Sequence, residues 1–318
     1  MPMQPKPSSE TSSPWLPSVR VFISSPFGTV PLKRSQYGLA EEDERYFRDV
    51  YDQPASSFSR SVTPPCSRSA QTGSIRARYV KQVRALIKEK REVAKGTLLV
   101  VFDLLGREVD FKPGQYFWVT LLDPPYEDDK GPRRHISVVT SPNERGVLGL
   151  CTRLRDSAFK RSLAELPLGA EVDVEEPKGS FLLPEDTDQR FVFIAGGIGI
   201  TVFRCMLRYI TEEQLSHRVT LVYSNRDRES AAFLDELVEL EHDNPNLQLV
   251  LTMTDDPAWD GESRRIGVGL LQDHLGDELQ SLTYLIAGPP PMVEGVVGTL
   301  QAAGVPEAQL RPDRFSGY

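Results

Sequence analysis

What this 318-residue chain has little of narrows its chemistry first. It carries three cysteines, Cys66, Cys151 and Cys205, far apart in sequence. They cannot form a disulfide framework, and an iron–sulfur cluster needs four closely placed thiolates. Its four histidines, His135, His217, His242 and His274, are as scattered and lack metal-ligand spacing, so no metal site is expected. Apolar runs are short: the richest, 98–105 and 191–200, are strand length, and no integral membrane segment is expected. The opening MPMQPKPSSETSSPW has no apolar core behind a basic head, unlike a secretory signal. Basic residues are the minority, 37 against 45 acidic ones for a net charge of −8, which argues against a general nucleic-acid partner. No internal repeat is visible, and no Ser-His-Asp or Cys-His arrangement can be argued. The acid pairs Glu175–Glu176 and Asp255–Asp256 read as solvated turns. What is left is a soluble, cytoplasmic protein whose 39% hydrophobic content can support two domain cores.

Three textures follow one another along the chain. Residues 1–75 are rich in Ser, Pro and Thr, and SSFSRSVTPPCSRSAQTGS at 56–74 reads as a flexible linker. Within this arm EEDERYFRDVY at 41–51 has the spacing of a short helix with acids at its start. From 76 to 187 come short β-rich segments, YVKQVRALI, TLLVVFDLL, QYFWVTLL, RHISVVT, VLGLCTRL and AEVDVEEP, separated by turn chemistry and by one helix, SAFKRSLAEL. That pattern predicts an antiparallel barrel. From 188 to 318 strands and helices alternate: RFVFIAGG, a helix at 201–211, RVTLVYS, a helix at 230–241, LQLVLTM, a helix near 268–275, TYLIAG and a helix from 291. Alternation of this kind predicts a parallel sheet covered on both faces, with ligands beyond its carboxyl edge.

Motifs sharpen this outline. In FVFIAGGIGIT a buried strand runs into Gly196, Gly197 and Gly199 before a helix begins near Thr201, a geometry that lets backbone amides meet a diphosphate. A glycine turn after a strand is often only a turn. Ser224, Arg226 and Arg228 in YSNRDRES follow the next strand, where a dinucleotide's ribose would lie, and can donate to a 2′-phosphate; Asp227 and Glu229 argue the other way, and a solvated loop stays open. AGPPPMVEGV supplies a stiff second loop at the same edge. In the barrel, RRHISVVTSP puts Arg134 and Ser137 close together on one strand face, and Arg153, Arg155, Lys160 and Arg161 gather around a helix start. Each of these also has a plainer reading as a surface strand or a basic helix face.

Taken in order, the motifs resemble the ferredoxin–NADP⁺ reductase family over about Tyr79 to Tyr318. Arg134-His135-Ile136-Ser137 resembles its flavin motif, Ser157-Ala158-Phe159-Lys160 with Leu163 its pyrophosphate motif, and EPKGSF, AGGIGIT, GPPPM and the terminal DRFSGY complete the series. The resemblance implies a two-domain β plus α/β fold: a largely flexible extension (1–75), an antiparallel six-stranded FAD-binding barrel (76–187) and a parallel-sheet NAD(P)-binding domain (188–318). It implies FAD as cofactor and NADPH or NADH as electron donor, with a separate protein or small molecule, such as a ferredoxin or flavodoxin, as acceptor. Arg134, His135, Ile136, Ser137, Thr152, Arg153, Ser157, Phe159 and Lys160 would hold the flavin. Gly196, Gly197, Gly199, Ile200, Thr201, Ser224, Arg226, Gly288, Pro289, Pro290 and Met292 would hold the nicotinamide dinucleotide. Ser137, Asp313 and Tyr318 would serve the reaction, Asp313 as proton relay and Tyr318 as a ring stacked on the flavin. Three positions depart from the pattern: Ile136 for an aromatic, Ala287 for a cysteine and Val202 for a proline. With the long 1–75 arm they leave open a non-catalytic nucleotide-binding scaffold; a narrower alternative, still enzymatic, is the reductase component of an oxygenase or desaturase.

Overall fold

The computed structural model describes residues 82–315, preceded by two short antiparallel strands, β1 (Phe22–Ser25) and β2 (Gly28–Pro31). The chain divides after Ser74. The helix expected at 41–51, the linker at 56–74, Cys66 and Tyr318 lie outside the described residues.

The first half of the second unit is a six-stranded antiparallel sheet in the order β6-β5-β8-β3-β4-β7. Its strands are β3 (Gln82–Ala94), β4 (Thr97–Asp103), β5 (Tyr116–Leu121), β6 (Arg133–Ser137), β7 (Val147–Arg153) and β8 (Glu171–Glu175). The two outer strands are brought together where the chain leaves β6: Val139 N–H donates to the Gly149 carbonyl at 2.9 Å. Alternation does the rest. Val83, Ala85 and Ile87 of β3, Phe117, Val119 and Leu121 of β5, and Val172 and Val174 of β8 point into one buried cluster. Helix α1 (Ala158–Glu165) closes the open end by inserting Phe159 and Leu163.

The second half is a five-stranded sheet, all parallel, in the order β11-β10-β9-β12-β13. The strands are β9 (Arg190–Gly196), β10 (Arg218–Asn225), β11 (Leu247–Met253), β12 (Thr283–Gly288) and β13 (Leu310–Arg314). Helices α2 (Ile200–Glu212), α3 (Leu234–Asp243), α4 (Val268–Leu275) and α5 (Pro290–Ala302) join them. The near-continuous burial of β9 and β12 is what two covered faces require. One apolar cluster lies on each face. The first also takes in Leu99, Val139 and Cys151 of the barrel, so the two sheets share a core.

Three features differ from the sequence expectation. Strand β3 continues to Ala94 through the polar KEKREVA, because pairing with β4 across two register shifts holds it where burial does not. Strand β13 is additional to it; LRPDR is polar, and the edge position lets Pro312 join without a missing ladder bond. Helix α3 starts at Leu234 rather than 230, since Asp227 and Ser230 close a capping box around a 3₁₀ turn and Phe233 takes φ 61°.

The chain places β10 and β11 on one side of β9 and then β12 and β13 on the other, so the strand order reverses at β9. There the backbones nearly touch. A Cβ on Gly199 would lie 2.2 Å from the Ala287 carbonyl oxygen, whereas one on Gly197, at φ +51°, would meet nothing within 4 Å. Gly199→Ala is therefore expected to cost about 2 kcal/mol or more by overpacking. Gly197→Ala is expected to cost about 1 kcal/mol, from backbone strain alone. Urea midpoints for the two variants test this ranking, and a reversed order would contradict it.

Candidate functional site

A cleft of about 690 Å³ opens between the barrel and the carboxyl edge of the parallel sheet. That volume suits a cofactor-sized ligand. The barrel wall comes from β6, β7 and the start of α1, with Gly114, Tyr116 and the Gly179–Phe181 segment. The opposite wall is Gly197, Ile198, Thr201, Pro289, Pro290, Pro291 and the end of β13. The two halves of the expected site thus face each other.

The barrel wall is cationic: Arg134 pairs with Asp128 at 3.4 Å, yet donor atoms of three of its side chains lack a partner among the described residues. Arg134 is buried, at 4% exposure, and its Nη1 donates to the carbonyls of Lys130 (3.0 Å), Gly131 (2.7 Å) and Arg133 (2.8 Å). Those carbonyls fix the guanidinium plane. The Phe159 ring lies 5.3 Å away, and Arg134 Nε has no hydrogen-bond partner among the described residues. The same holds for Arg153 Nε and for Ser157 Oγ at the N-cap of α1. Arg155 and Lys160 add two cations. Burial, then the charges of Arg155 and Arg134, hold the Lys160 ammonium below its ordinary pKa. Orphaned buried donors are costly, and a group with several anionic oxygens would satisfy them. The FAD diphosphate implied by the resemblance fits this donor set.

Ser137 ends β6, opposite Tyr116 on β5, and both line the cleft. Here one expectation needs correction. Strand residues three apart point to opposite faces, so Arg134 and Ser137 do not share one; they reach the same cleft because it wraps around the end of the strand. Ile136 lines the cleft and packs against the barrel core, while Tyr116, 5.2 Å from the His135 ring, supplies an aromatic surface nearby. The His135 imidazole is held below its usual pKa by burial and then by Arg133 and Lys178. Thr152 is buried and also faces the cleft.

On the sheet wall, Gly197–Gly199 form a 3₁₀ turn leading into the thirteen-residue helix α2, so its first amides and the positive end of its dipole sit at the cleft. Thr201 Oγ donates back to the Ile198 carbonyl at 3.0 Å. Not every predicted residue is at the surface. Gly196, Gly199, Ile200 and Gly288 are absent from the lining and instead make the turn possible: a Cβ on Gly288 would meet the Gly196 carbonyl at 3.2 Å. Met292 lies behind the turn, where a Cβ on Gly196 would meet its sulfur at 3.1 Å. Val202 and Ala287 are fully buried and absent from the lining.

Ser224, near the end of β10, and Arg226, just past it, lie outside the cleft, Ser224 half-buried and Arg226 exposed. Arg228 is committed elsewhere, to Asp256 at 3.0 Å and the Ala258 carbonyl at 3.3 Å. So Asp256 is an ion-pair partner, not a bare solvated turn, and the same is true of Glu175, which pairs with Arg133 at 2.6 Å. The acids that follow Arg226 in sequence are also engaged: Asp227 in its capping box and Glu229 with Lys95. No ion pair engages Arg226 among the described residues.

Asp313 stands on β13 beside Ala287 and lines the cleft with Arg314 and Phe315. Ile198, Pro291 and Phe315, which lie within AGGIGIT, GPPPM and DRFSGY, belong to the lining too, and so does Tyr116, which no motif contains. Tyr116 has a local signal, the alternation of its strand. Its placement against Ser137 emerges only with strand register.

The profile described as "Oxidoreductase NAD-binding domain" matches residues 193–298. The chain is 25% identical over 281 residues to a component of the Na(+)-translocating NADH-quinone reductase of Methylococcus capsulatus, covering 75% of this chain and 69% of that protein. It is 28% identical to the reductase component of propane 2-monooxygenase from Rhodococcus jostii, over 65% of this chain but 56% of the relative. Among solved structures, a ferredoxin NADP+ reductase from Neisseria gonorrhoeae with bound FAD and NADP superposes with a TM-score of 0.60 at 20% identity, over 74% of this chain and 99% of that one. These likenesses bear out the expected fold and the resemblance.

Burial raises the Asp313 carboxyl above its ordinary value of 3.8. The folded protein therefore keeps this proton at a pH where the unfolded chain has released it, and ionisation costs stability as pH rises through that window. Asp313→Asn, which cannot ionise, is expected to gain stability over the parent between about pH 4 and 7, with the gap closing below about pH 4. Urea unfolding across this range checks it, and a gap independent of pH would contradict it.

Proposed function

We propose that this chain, which has the two-domain fold of the ferredoxin–NADP⁺ reductases, is a flavin-dependent oxidoreductase that moves electrons from NAD(P)H through FAD to a separate acceptor. One observation carries the reading: three buried donor atoms on the barrel, Arg134 Nε, Arg153 Nε and Ser157 Oγ, lack partners among the described residues and face a glycine turn and helix start across a single cofactor-sized cleft. When bound, FAD supplies the acceptor for hydride and releases the two electrons onward.

The chain's own residues then have assignable tasks. Arg134, Arg153, Ser157 and Lys160 bind the flavin's diphosphate; unmet donors on the first three and the buried ammonium of Lys160 beside them support this role. The Ser137 hydroxyl orients the ring system by hydrogen bonding near its reactive nitrogen. Tyr116, Phe181 and Pro289–Pro291 exclude water from the gap where donor and acceptor rings meet. Asp313, whose carboxyl holds a proton above the normal range, exchanges it with the cleft. The α2 amides receive the diphosphate of the nicotinamide dinucleotide.

Arg226 favours NADPH over NADH, since it is the cation at the end of β10 with no ion pair among the described residues. Likeness to an oxygenase reductase component supports an acceptor that is a separate protein, and no helix among the described residues is long and apolar enough to cross a membrane. A cytoplasmic setting is part of the same reading. Val202 and Ala287 lie away from the cleft surface, so these departures argue little for an inert scaffold.

The test is anaerobic mixing of the FAD-loaded protein with NADPH or NADH while the flavin's visible absorbance is followed. Bleaching is expected with both and faster with NADPH; no bleaching with either overturns the proposal. Arg226→Ala is expected to narrow the preference for NADPH by about tenfold, the worth of one hydrogen bond to a charged group. An unchanged ratio of kcat/KM values would remove Arg226 from the assignment.

A further inference from the structure

The loop after β10 is fastened to the barrel at two places. At its middle, Lys95 in the β3–β4 turn donates its backbone N–H to the Glu229 carbonyl at 2.8 Å, and its ammonium pairs with the Glu229 carboxylate at 2.9 Å. Next to it, Arg153 Nη2 donates to the Ser230 carbonyl at 2.8 Å. At the far end, buried Arg204 of α2 donates to the barrel's Val139 carbonyl at 2.7 Å and to Glu236 at 2.8 Å, and lies over the Phe233 ring. The Lys95–Glu229 pair is exposed, and such pairs contribute little. The Arg153 contact is different in kind. Its guanidinium lines the flavin cleft with Nε still lacking a partner, while Nη2 reaches across the domain boundary.

The loop is stiff enough to transmit what happens to Arg153. Ser230 N–H donates to Asp227 Oδ1 at 2.8 Å, and the Ser230 hydroxyl donates to the Asp227 carbonyl at 3.0 Å. Asp255 N–H donates to the Arg226 carbonyl at 2.7 Å. Ser230, Asp227 and Arg226 are therefore linked by consecutive hydrogen bonds and backbone, with Arg153 at one end and the residue assigned to the dinucleotide's ribose at the other.

We propose that Arg153 is a positioning residue shared by the two cofactor sites: an anion on its cleft side fixes the guanidinium, which holds Ser230 and sets the loop that carries Arg226. Flavin and nicotinamide dinucleotide then bind with positive coupling. The coupling is reciprocal, so a bound dinucleotide must also retain the flavin. This rests on the reading given under Proposed function.

The experiment follows FAD release from the holoprotein by recovery of free-flavin fluorescence, with and without saturating NADP⁺ or NAD⁺. The oxidised dinucleotides serve as ligands only, and their binding is verified by calorimetry on the same sample. In the parent protein, bound dinucleotide is expected to slow FAD release by about fivefold or more, the lower end of common allosteric couplings. Arg153→Met is expected to weaken FAD binding and abolish the slowing. Asp227→Ala, which leaves the cleft lining untouched, is expected to abolish the slowing while FAD release without dinucleotide stays within about twofold of the parent, as for a distant site. Asp227→Asn, whose side-chain oxygen still accepts from Ser230 N–H, is expected to keep it. Dinucleotide that binds without slowing FAD release in the parent overturns the coupling, and slowing that survives in Asp227→Ala overturns the proposed route through Arg153 and Ser230; either leaves the oxidoreductase reading standing. If neither dinucleotide binds at all, both fall.

Discussion

Everything at the cleft depends on one shared core. Leu99, Val139 and Cys151 of the barrel are buried in the same apolar cluster as Phe193 of β9 and Phe203 and Met206 of α2. A packed interior is dense and does not deform gradually, so this contact fixes the distance between the two cleft walls. Phe193 and Phe203 stack at 4.9 Å, and the Phe181 ring beside the cleft meets Phe203 edge-on at 6.1 Å. Two ligands on separate, loosely tethered domains would meet only by chance. Here the barrel strand that carries Arg153 and the sheet strand that ends in the glycine turn are held by one interior.

Polar contacts at the boundary add direction to that packing. Arg208 pairs with Glu144 at 2.7 Å, and Ser141 hydrogen-bonds Glu212. Two buried thiols in this region, Cys151 and Cys205, are pushed up to about 12 by desolvation, so they act as small apolar groups and not as nucleophiles. The charge pattern is local. A chain with net charge −8 gathers Arg134, Arg153, Arg155 and Lys160 on one wall of one cleft. Of these, Arg134 and Lys160 are buried, and burying a cation is costly unless anions compensate it, which is what a cofactor site with strong binding requires.

How much of this is legible in the sequence varies with the physics involved. Strands with strong alternation or continuous burial are readable nearly to the residue: LQLVLTM and TYLIAG coincide with β11 and β12. The antiparallel and parallel halves are readable because hydrophobic period and strand–helix alternation are local properties. Strand β13 is not, since the pairing of LRPDR with β12 depends on a partner beyond an intervening helix and leaves no apolar trace. The candidate site shows the same division. Arg134, Ser137, Lys160, Gly197 and Thr201 can be named from motif order. Tyr116 cannot, because strand register places it there. Arg228 looks as eligible as Arg226 until its bond to Asp256 becomes visible. Sequence offers the donors; only the fold says which are already engaged.

The central claim is that one rigid cleft holds the flavin on the barrel wall and the nicotinamide dinucleotide on the sheet wall. The most direct measurement is a crystal structure of the protein grown with FAD and an oxidised nicotinamide dinucleotide. The expected result places the flavin's diphosphate against Arg134, Arg153 and Ser157, its ring beside Ser137, and the dinucleotide's diphosphate at the amides of Gly197–Thr201. A flavin bound away from β6, or a dinucleotide whose diphosphate avoids the start of α2, would contradict it.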